Sequence, residues 1–200
     1  MAQFKHSAVV TQARTFRPDD PAFQREGLCE RALQGAVHYR CDGPARVIVP
    51  SYGPAGWYEC DVAVITASGL LNEYEIKCNG ADFRRDFKDK PEKHRRLEKR
   101  DQHDAGLPSR FIYVCPPLVI EPADLPDYAG LLYAYWQEPD EYTGYACPSP
   151  LLAVVKRGPL LTRRRVPPDI VKAMFRGCYY RFWNERRRYD DLKKRQACLV

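Results

Sequence analysis

Long apolar runs are missing from this chain: no stretch approaches the ~18 residues that a membrane helix needs, and the opening Met1-Ala2-Gln3-Phe4-Lys5-His6 holds no apolar signal core. The expectation is a soluble protein of an intracellular, cytoplasmic compartment with no membrane partner. Paired metal-binding cysteines are missing too. The 8 cysteines, from Cys29 to Cys198, are spread evenly without a C-x-x-C pair, and none of the 4 histidines sits at a ligand spacing from a cysteine. This argues against a disulfide framework and a structural zinc, and leaves reduced, mostly buried thiols. Internal repeats and low-complexity segments are also absent.

Positive charge is scarce over most of the chain. Residues 1–155 hold 18 Lys and Arg against 22 Asp and Glu, a net of −4, whereas residues 156–200 hold 14 against 4, a net of +10. The overall +6 therefore belongs to the C-terminal segment, where the excess fits either a polyanion partner or a solvated helix face. With 200 residues, 44% hydrophobic and 29% charged, the rest reads as one globular domain with a peripheral extension.

Residues 1–20 lack a sustained period and read as an N-terminal arm. Asp20 as N-cap and Pro21 at the first helical position start a helix that runs to about Val37, with Leu28, Ala32 and Leu33 on its apolar stripe. Three β-rich runs bounded by turn formers follow at residues 45–49, 57–66 and 70–77, and predict consecutive antiparallel strands. Residues 81–100 predict one charged helix anchored by Phe83, Phe87 and Leu97. Short strands come next at 111–114 and 130–135, with a further one at the sheet edge at 153–155. A last helix runs from Pro168 to about Lys194, and its Val171, Met174, Phe175, Cys178 and Phe182 recur at helical spacing, which predicts a stripe of core contacts. The order predicts an α/β fold with one mixed β-sheet flanked by helices. Its parts are an arm (1–20), a core (21–155) and a basic C-terminal helical extension packed on the core (156–200).

The strand that ends Glu73-Tyr74-Glu75-Ile76-Lys77 sends Glu73, Glu75 and Lys77 to one face and Tyr74 and Ile76 to the other. Ala67-Ser68-Gly69 fits a three-residue hairpin loop with Gly69 in the left-handed position. Thr66 then pairs with Leu70, Val62 with Tyr74, Asp61 with Glu75, and Glu59 with Lys77. Two opposed carboxylates repel unless something compensates. A Mg²⁺ or Mn²⁺ ion does so directly, since both prefer hard oxygen ligands completed by water. With Lys77 beside them, Asp61 and Glu75 suit phosphodiester hydrolysis, the lysine stabilising developing negative charge. The competing reading is that Glu59, Asp61, Glu73, Glu75 and Lys77 line a solvated sheet face with cross-strand ion pairs.

Glu59-Cys60-Asp61-Val62, Glu75-Ile76-Lys77, and Ala81-Asp82-Phe83-Arg84-Arg85-Asp86 leading to Lys90 and His94 resemble the PD-(D/E)XK nuclease superfamily. Within it, the MmcB-like group of DNA repair nucleases and related phage proteins look most similar, over about residues 25–135. The resemblance implies a restriction-endonuclease-like fold, a Mg²⁺ (or Mn²⁺) cofactor, and hydrolysis of DNA in repair, recombination or phage DNA processing. It implies Asp61 and Glu75 as metal ligands, with the Ile76 carbonyl as a further one, and Lys77 as the catalytic lysine. A further acid often comes from the first helix, where Glu30, nearer the helix middle than Glu26, is the candidate. Lys90 and His94, one turn apart, are candidates for phosphate contact. The proline of the family name is absent, Cys60 standing before Asp61.

Among the C-terminal basic residues, Arg164, Arg176 and Arg187 are candidates to follow a nucleic-acid backbone, with Tyr179, Tyr180 and Trp183 available to stack on unpaired bases. The alternative for those rings is packing of the helix onto its own domain. A homodimer is an expected partner state, since many nucleases that cut both strands act as dimers. A second class of function is a catalytically weak or inactive nuclease-fold module that binds nucleic acid or a protein. A third directs the same chemistry at RNA.

Overall fold

A computed structural model describes residues 27–43, 45–54, 56–136 and 149–197. Its elements run α1 (Glu30–Cys41), β1 (Ala45–Tyr52), β2 (Cys60–Thr66), β3 (Leu71–Ile76), α2 (Gly80–Asp89), α3 (Pro91–Lys99), β4 (Arg110–Cys115), β5 (Ala129–Tyr135), β6 (Leu151–Lys156) and α4 (Pro168–Ala197). A 3-10 turn at Pro122–Asp124 interrupts the connection between β4 and β5. The six strands form one sheet in chain order. Pairing is antiparallel from β1 to β3, parallel from β3 through β4 to β5, and antiparallel again at β6. The fold is thus α/β, a mixed sheet flanked by helices.

Parallel strands need a crossover connection, and α2 with α3 makes the one from β3 to β4. The central strands are accordingly buried on both faces, their residues running apolar without a break from Phe111 to Cys115 in β4 and throughout β5. On one face, Leu33, Ala36 and Val37 of α1 pack on Val62, Val64, Tyr74, Ile76 and Val114. On the other, Phe83 of α2 and Leu97 of α3 cover Phe111, Tyr113 and Leu131. That second face continues across β1 and β2, where Met174 of α4 packs on Val47, Val49, Ala63 and Ile65. No helix among the described residues is long and apolar enough to cross a membrane.

Three local expectations are corrected. The expected start at Asp20 and Pro21 lies outside the described residues, but a helix continuous from there is ruled out: Gly27 adopts φ +76 and Cys29 is extended, so α1 begins at Glu30 and continues to Cys41. The strand expected from Trp57 begins only at Cys60. The helix expected over 81–100 is two helices. Lys90 has φ −123 and ψ 48, closing α2 through its N–H to the Asp86 carbonyl, and Pro91 opens α3 at a position where no N–H is needed.

The final helix also departs from expectation. Met174 is buried and Val171 and Cys178 pack beside it, but Phe175 and Phe182 stand exposed, so the stripe meets the core only along its first turns.

Candidate active site

The hairpin between β2 and β3 has the expected register. Val62 faces Tyr74, Ala63 faces Glu73, Val64 faces Asn72 and Ile65 faces Leu71. Gly69, at φ +82, donates to the Thr66 carbonyl at 2.8 Å, and Thr66 donates to Leu70 at 2.9 Å, which closes the three-residue loop. Regular pairing stops at Val62. Cys60 packs with Ala63 and Ile65, so the alternation slips beside Asp61, and the Asp61 carboxylate accepts the Ile76 N–H at 2.6 Å. Asp61 is thereby held at the end of β3. The expected pairing of Glu59 with Lys77 does not form, because Glu59 precedes the strand and is exposed.

The polar face of β3 is not solvated. Glu73 is 0% and Glu75 1% exposed, and Lys77 is buried with them, because α2 and α3 lie over this face. A buried carboxylate must be paired, and these are. Lys93 of α3, itself 0% exposed, bridges Glu73 at 2.6 Å and Glu75 Oε2 at 2.8 Å. Trp57 Nε1 donates to Glu73 at 2.6 Å. The other Glu75 oxygen, Oε1, takes Lys77 at 3.0 Å and Lys90 at 2.8 Å. The same two lysines meet Asp86 Oδ1 at 3.0 and 3.3 Å, giving a ring of alternating charge: Glu75, Lys77, Asp86, Lys90.

Behind the ring, Asp86 Oδ2 is held by His94 at 3.1 Å and by the Tyr113 hydroxyl at 3.2 Å, while the second His94 nitrogen meets Tyr128 at 2.7 Å. Burial works against the charge of Asp86, but His94 and Lys77 outweigh it and hold its carboxyl well below the usual range. Glu75 is lowered likewise: burial opposes its charge, and Lys93, Lys77 and Lys90 overcome that. Glu73 goes the other way, burial raising it despite Lys93.

Asp61 is the exception in the cluster. Among the described residues it has no cation within ion-pair distance, and burial followed by the charge of Glu75 pushes its carboxyl up to about 6. It lines an open cleft of about 230 Å³ together with Glu75, Ile76, Lys77, Asp86 and Lys90, with Glu30, Asp82, Arg85 and Asp89 around them. No three His, Cys, Asp or Glu side chains among the described residues form a ready metal cage. The residues lining the open cleft offer carboxylate oxygens from Asp61 and Glu75 beside Ile76, which also carries a main-chain carbonyl. That all-oxygen set suits Mg²⁺, which keeps several waters and is often bound by only one or two carboxylates. The Asp61 carboxylate, which accepts the Ile76 N–H but forms no ion pair among the described residues, is the feature a cation would relieve.

The candidates divide into three groups. Asp61, Glu75, Ile76, Lys77, Lys90 and Glu30 come together at the cleft. Glu30 is the first residue of α1, not near its middle, and Gln34 ties it to Asp61 by donating to Glu30 Oε1 at 3.3 Å and to the Asp61 carbonyl at 3.4 Å. Glu26 lies outside the described residues. His94 is buried with both ring nitrogens engaged, so it supports Asp86 and leaves nothing for a phosphate. Arg164, Arg176 and Arg187 do not line the cleft: Arg164 precedes α4, Arg176 lies over the Tyr180 ring at 5.8 Å, and Arg187 donates to Asn184 at 2.6 Å.

Sequence reasoning missed Lys93, Asp86, Trp57 and Tyr128. A signal existed for two of them. Lys93 stands four residues before the buried Leu97 and Asp86 three after the buried Phe83, on the helix faces that must turn inward.

No family model matches the chain, and no curated protein matches it either. A solved structure of a protein of unknown function from Silicibacter pomeroyi is similar, at 22% identity over 78% of this chain and 88% of that one, with a TM-score of 0.48.

Proposed function

We propose that this protein is a divalent-metal-dependent nuclease of PD-(D/E)XK type that hydrolyses phosphodiester bonds in DNA. The observation that carries the reading is the meeting of Asp61 and Glu75 at one cleft, with the Lys77 ammonium pinned 3.0 Å from both Glu75 and Asp86. Asp61, Glu75 and the Ile76 carbonyl would hold Mg²⁺ or Mn²⁺, which when bound supplies a polarised phosphate and an activated water.

The chain's own groups do the rest. Asp86 orients Lys77, and the Lys77 ammonium stabilises the negative charge that develops on the phosphate oxygens. Lys90, partly open to the cleft, meets the incoming backbone, and Glu30 sits at the rim where Gln34 keeps it. Buried free thiols such as Cys41 and Cys60 fit a reducing, intracellular setting.

The test is an assay with Mg²⁺ or Mn²⁺ on single-stranded, duplex, nicked and branched DNA, and on RNA. Cleavage by the parent and its loss in Lys77→Ala and in EDTA is the expected result. A parent that leaves every substrate intact, or a Lys77→Ala variant that cuts equally well, sinks the reading.

One observation favours a second reading. Both Glu75 oxygens are occupied by lysines, three in all, so Glu75 is satisfied without metal, as in a nuclease-fold module retained for binding. Calorimetric titration separates the two: the nuclease takes up Mn²⁺ and its Asp61→Asn variant does not, whereas the binding module gives no heat at all.

A further inference from the structure

The last helix carries what the cleft does not use. From Lys172 onward, residues at alternating spacings of four and three, Lys172, Arg176, Tyr179, Trp183, Arg186, Asp190 and Lys193, fall along one stripe of α4. The stripe lies turned from Met174, the residue that docks the helix on β1 and β2. Its one acid, Asp190, is paired to Arg186 at 3.4 Å. Tyr179 is 58% and Trp183 46% exposed, and Phe175, Phe182 and Tyr189 flank them, also in the open. Cations sit against these rings: Arg176 over Tyr180 at 5.8 Å and Lys193 over Tyr189 at 4.8 Å.

The helix is held by few but definite contacts. Met174 is buried, and Arg181 donates to the carbonyls of Pro50 and, at 2.6 Å, Ser51. The stripe, about 30 Å long, therefore belongs to an anchored helix of about 45 Å. Residues 168–197 hold 9 Lys and Arg against 4 Asp and Glu, and the exposed Arg163, Arg164 and Arg165 lead into them.

We propose that this outward face of α4 binds single-stranded nucleic acid, its exposed rings stacking on unpaired bases and its interleaved cations meeting the phosphates. Charge complementarity selects the occupant. A second copy of the chain would set one strongly basic helix against another, and the apolar seam available for pairing is broken at Glu185 and partly spent on the core at Val171 and Cys178. A duplex keeps its bases stacked and offers the rings nothing. Large exposed aromatics between cations match the stacking platforms of single-strand binders.

The test is fluorescence anisotropy on the full chain in EDTA, with a labelled dT oligonucleotide of about 15 nucleotides and a duplex of equal length. The parent binds the single strand more tightly than the duplex. Trp183→Ala weakens single-strand binding roughly 5-fold or more, Tyr179→Ala adds to the loss, and Trp183→Phe retains most of it. Lys172→Gln with Arg176→Gln lowers the slope of log K against log salt by about 1.4. These side chains lie outside the core, and unchanged thermal melting shows the variants folded.

The proposal is overturned if the parent does not bind the oligonucleotide, if Tyr179→Ala/Trp183→Ala binds it as the parent does, or if duplex is preferred. Light scattering on the same samples reads the alternative occupant: a parent dimer that the Phe182→Ala/Tyr189→Ala variant breaks assigns the face to a second copy and overturns the proposal. Cleavage with Mn²⁺ is scored separately. Binding intact with no cleavage anywhere removes the nuclease reading alone, and cleavage with binding indifferent to Trp183 removes this one alone.

Discussion

The β3–α2–α3 cluster and the outer face of α4 use the same residue types, lysines and arginines among acids and aromatic rings, in opposite surroundings. Around Glu73, Glu75 and Lys93 water is excluded, so each charge depends on a named partner. On α4, Arg188 and Glu185 pair at 2.8 Å while most of each side chain remains in water. The same 2.8 Å contact is therefore a structural necessity in one place and nearly neutral in the other. Desolvation decides the difference, since removing one partner of a buried pair leaves a bare charge, whereas a surface partner is replaced by water and salt.

The most severe way to probe that contrast is Lys93→Met. It leaves two buried carboxylates without their shared cation and should cost about 3–5 kcal/mol, read as a fall in Tm of roughly 6–20 °C. A fall of only a degree or two would mean that the cluster is wetter than its burial indicates. Next, if the protein is the nuclease proposed, Lys77→Ala should cut DNA cleavage by a factor of about 10² to 10³, because the ammonium held by Glu75 and Asp86 would then be the donor to developing charge. Rates are compared at saturating Mn²⁺.

Trp57→Phe keeps an aromatic ring, though a smaller one, and removes the 2.6 Å indole donor to Glu73. A hydrogen bond to a charged group is worth about 1.5–3 kcal/mol, and urea unfolding should show that loss.

Asp61→Asn should move stability the other way. Among the described residues Asp61 forms no ion pair, and the charge of Glu75 opposes its own, so neutralising it should stabilise the metal-free protein by about 1 kcal/mol while Mn²⁺ uptake disappears. A destabilised variant would show that the Asp61 charge is already compensated. The smallest change is Arg188→Ala on α4, at most about 0.5 kcal/mol. A larger loss there would mean that α4 is covered in solution.

Some of this was legible along the chain. The hairpin register was, because a three-residue loop with Gly69 at positive φ fixes the pairing from Ile65 with Leu71 back to Val62 with Tyr74; the pairing expected one step further, Asp61 with Glu75, is not part of the observed ladder. The sheet class followed from the alternation of strands and helices. The break at Lys90 had its signal in Pro91, outweighed by the continuous charge pattern on either side. The burial of Glu73, Glu75 and Lys77 was not legible. Alternation along β3 tells which residues share a face, but not what covers it. The cover comes from α3, and the residue that makes it tolerable, Lys93, is 18 positions from Glu75.

The same limit applied to α4 in reverse. Val171, Met174, Phe175, Cys178 and Phe182 have helical period whether a helix packs along its whole length or only at its first turns, and period alone predicted core. The strands, their pairing through Gly69 and the basic excess after residue 155 were set by local sequence, since each depends on chirality, loop length or composition. Which charges are dry, which cation each acid meets, and which rings of α4 remain open were decided only by the tertiary structure. Desolvation and ion pairing act between surfaces that the chain brings together from distant positions.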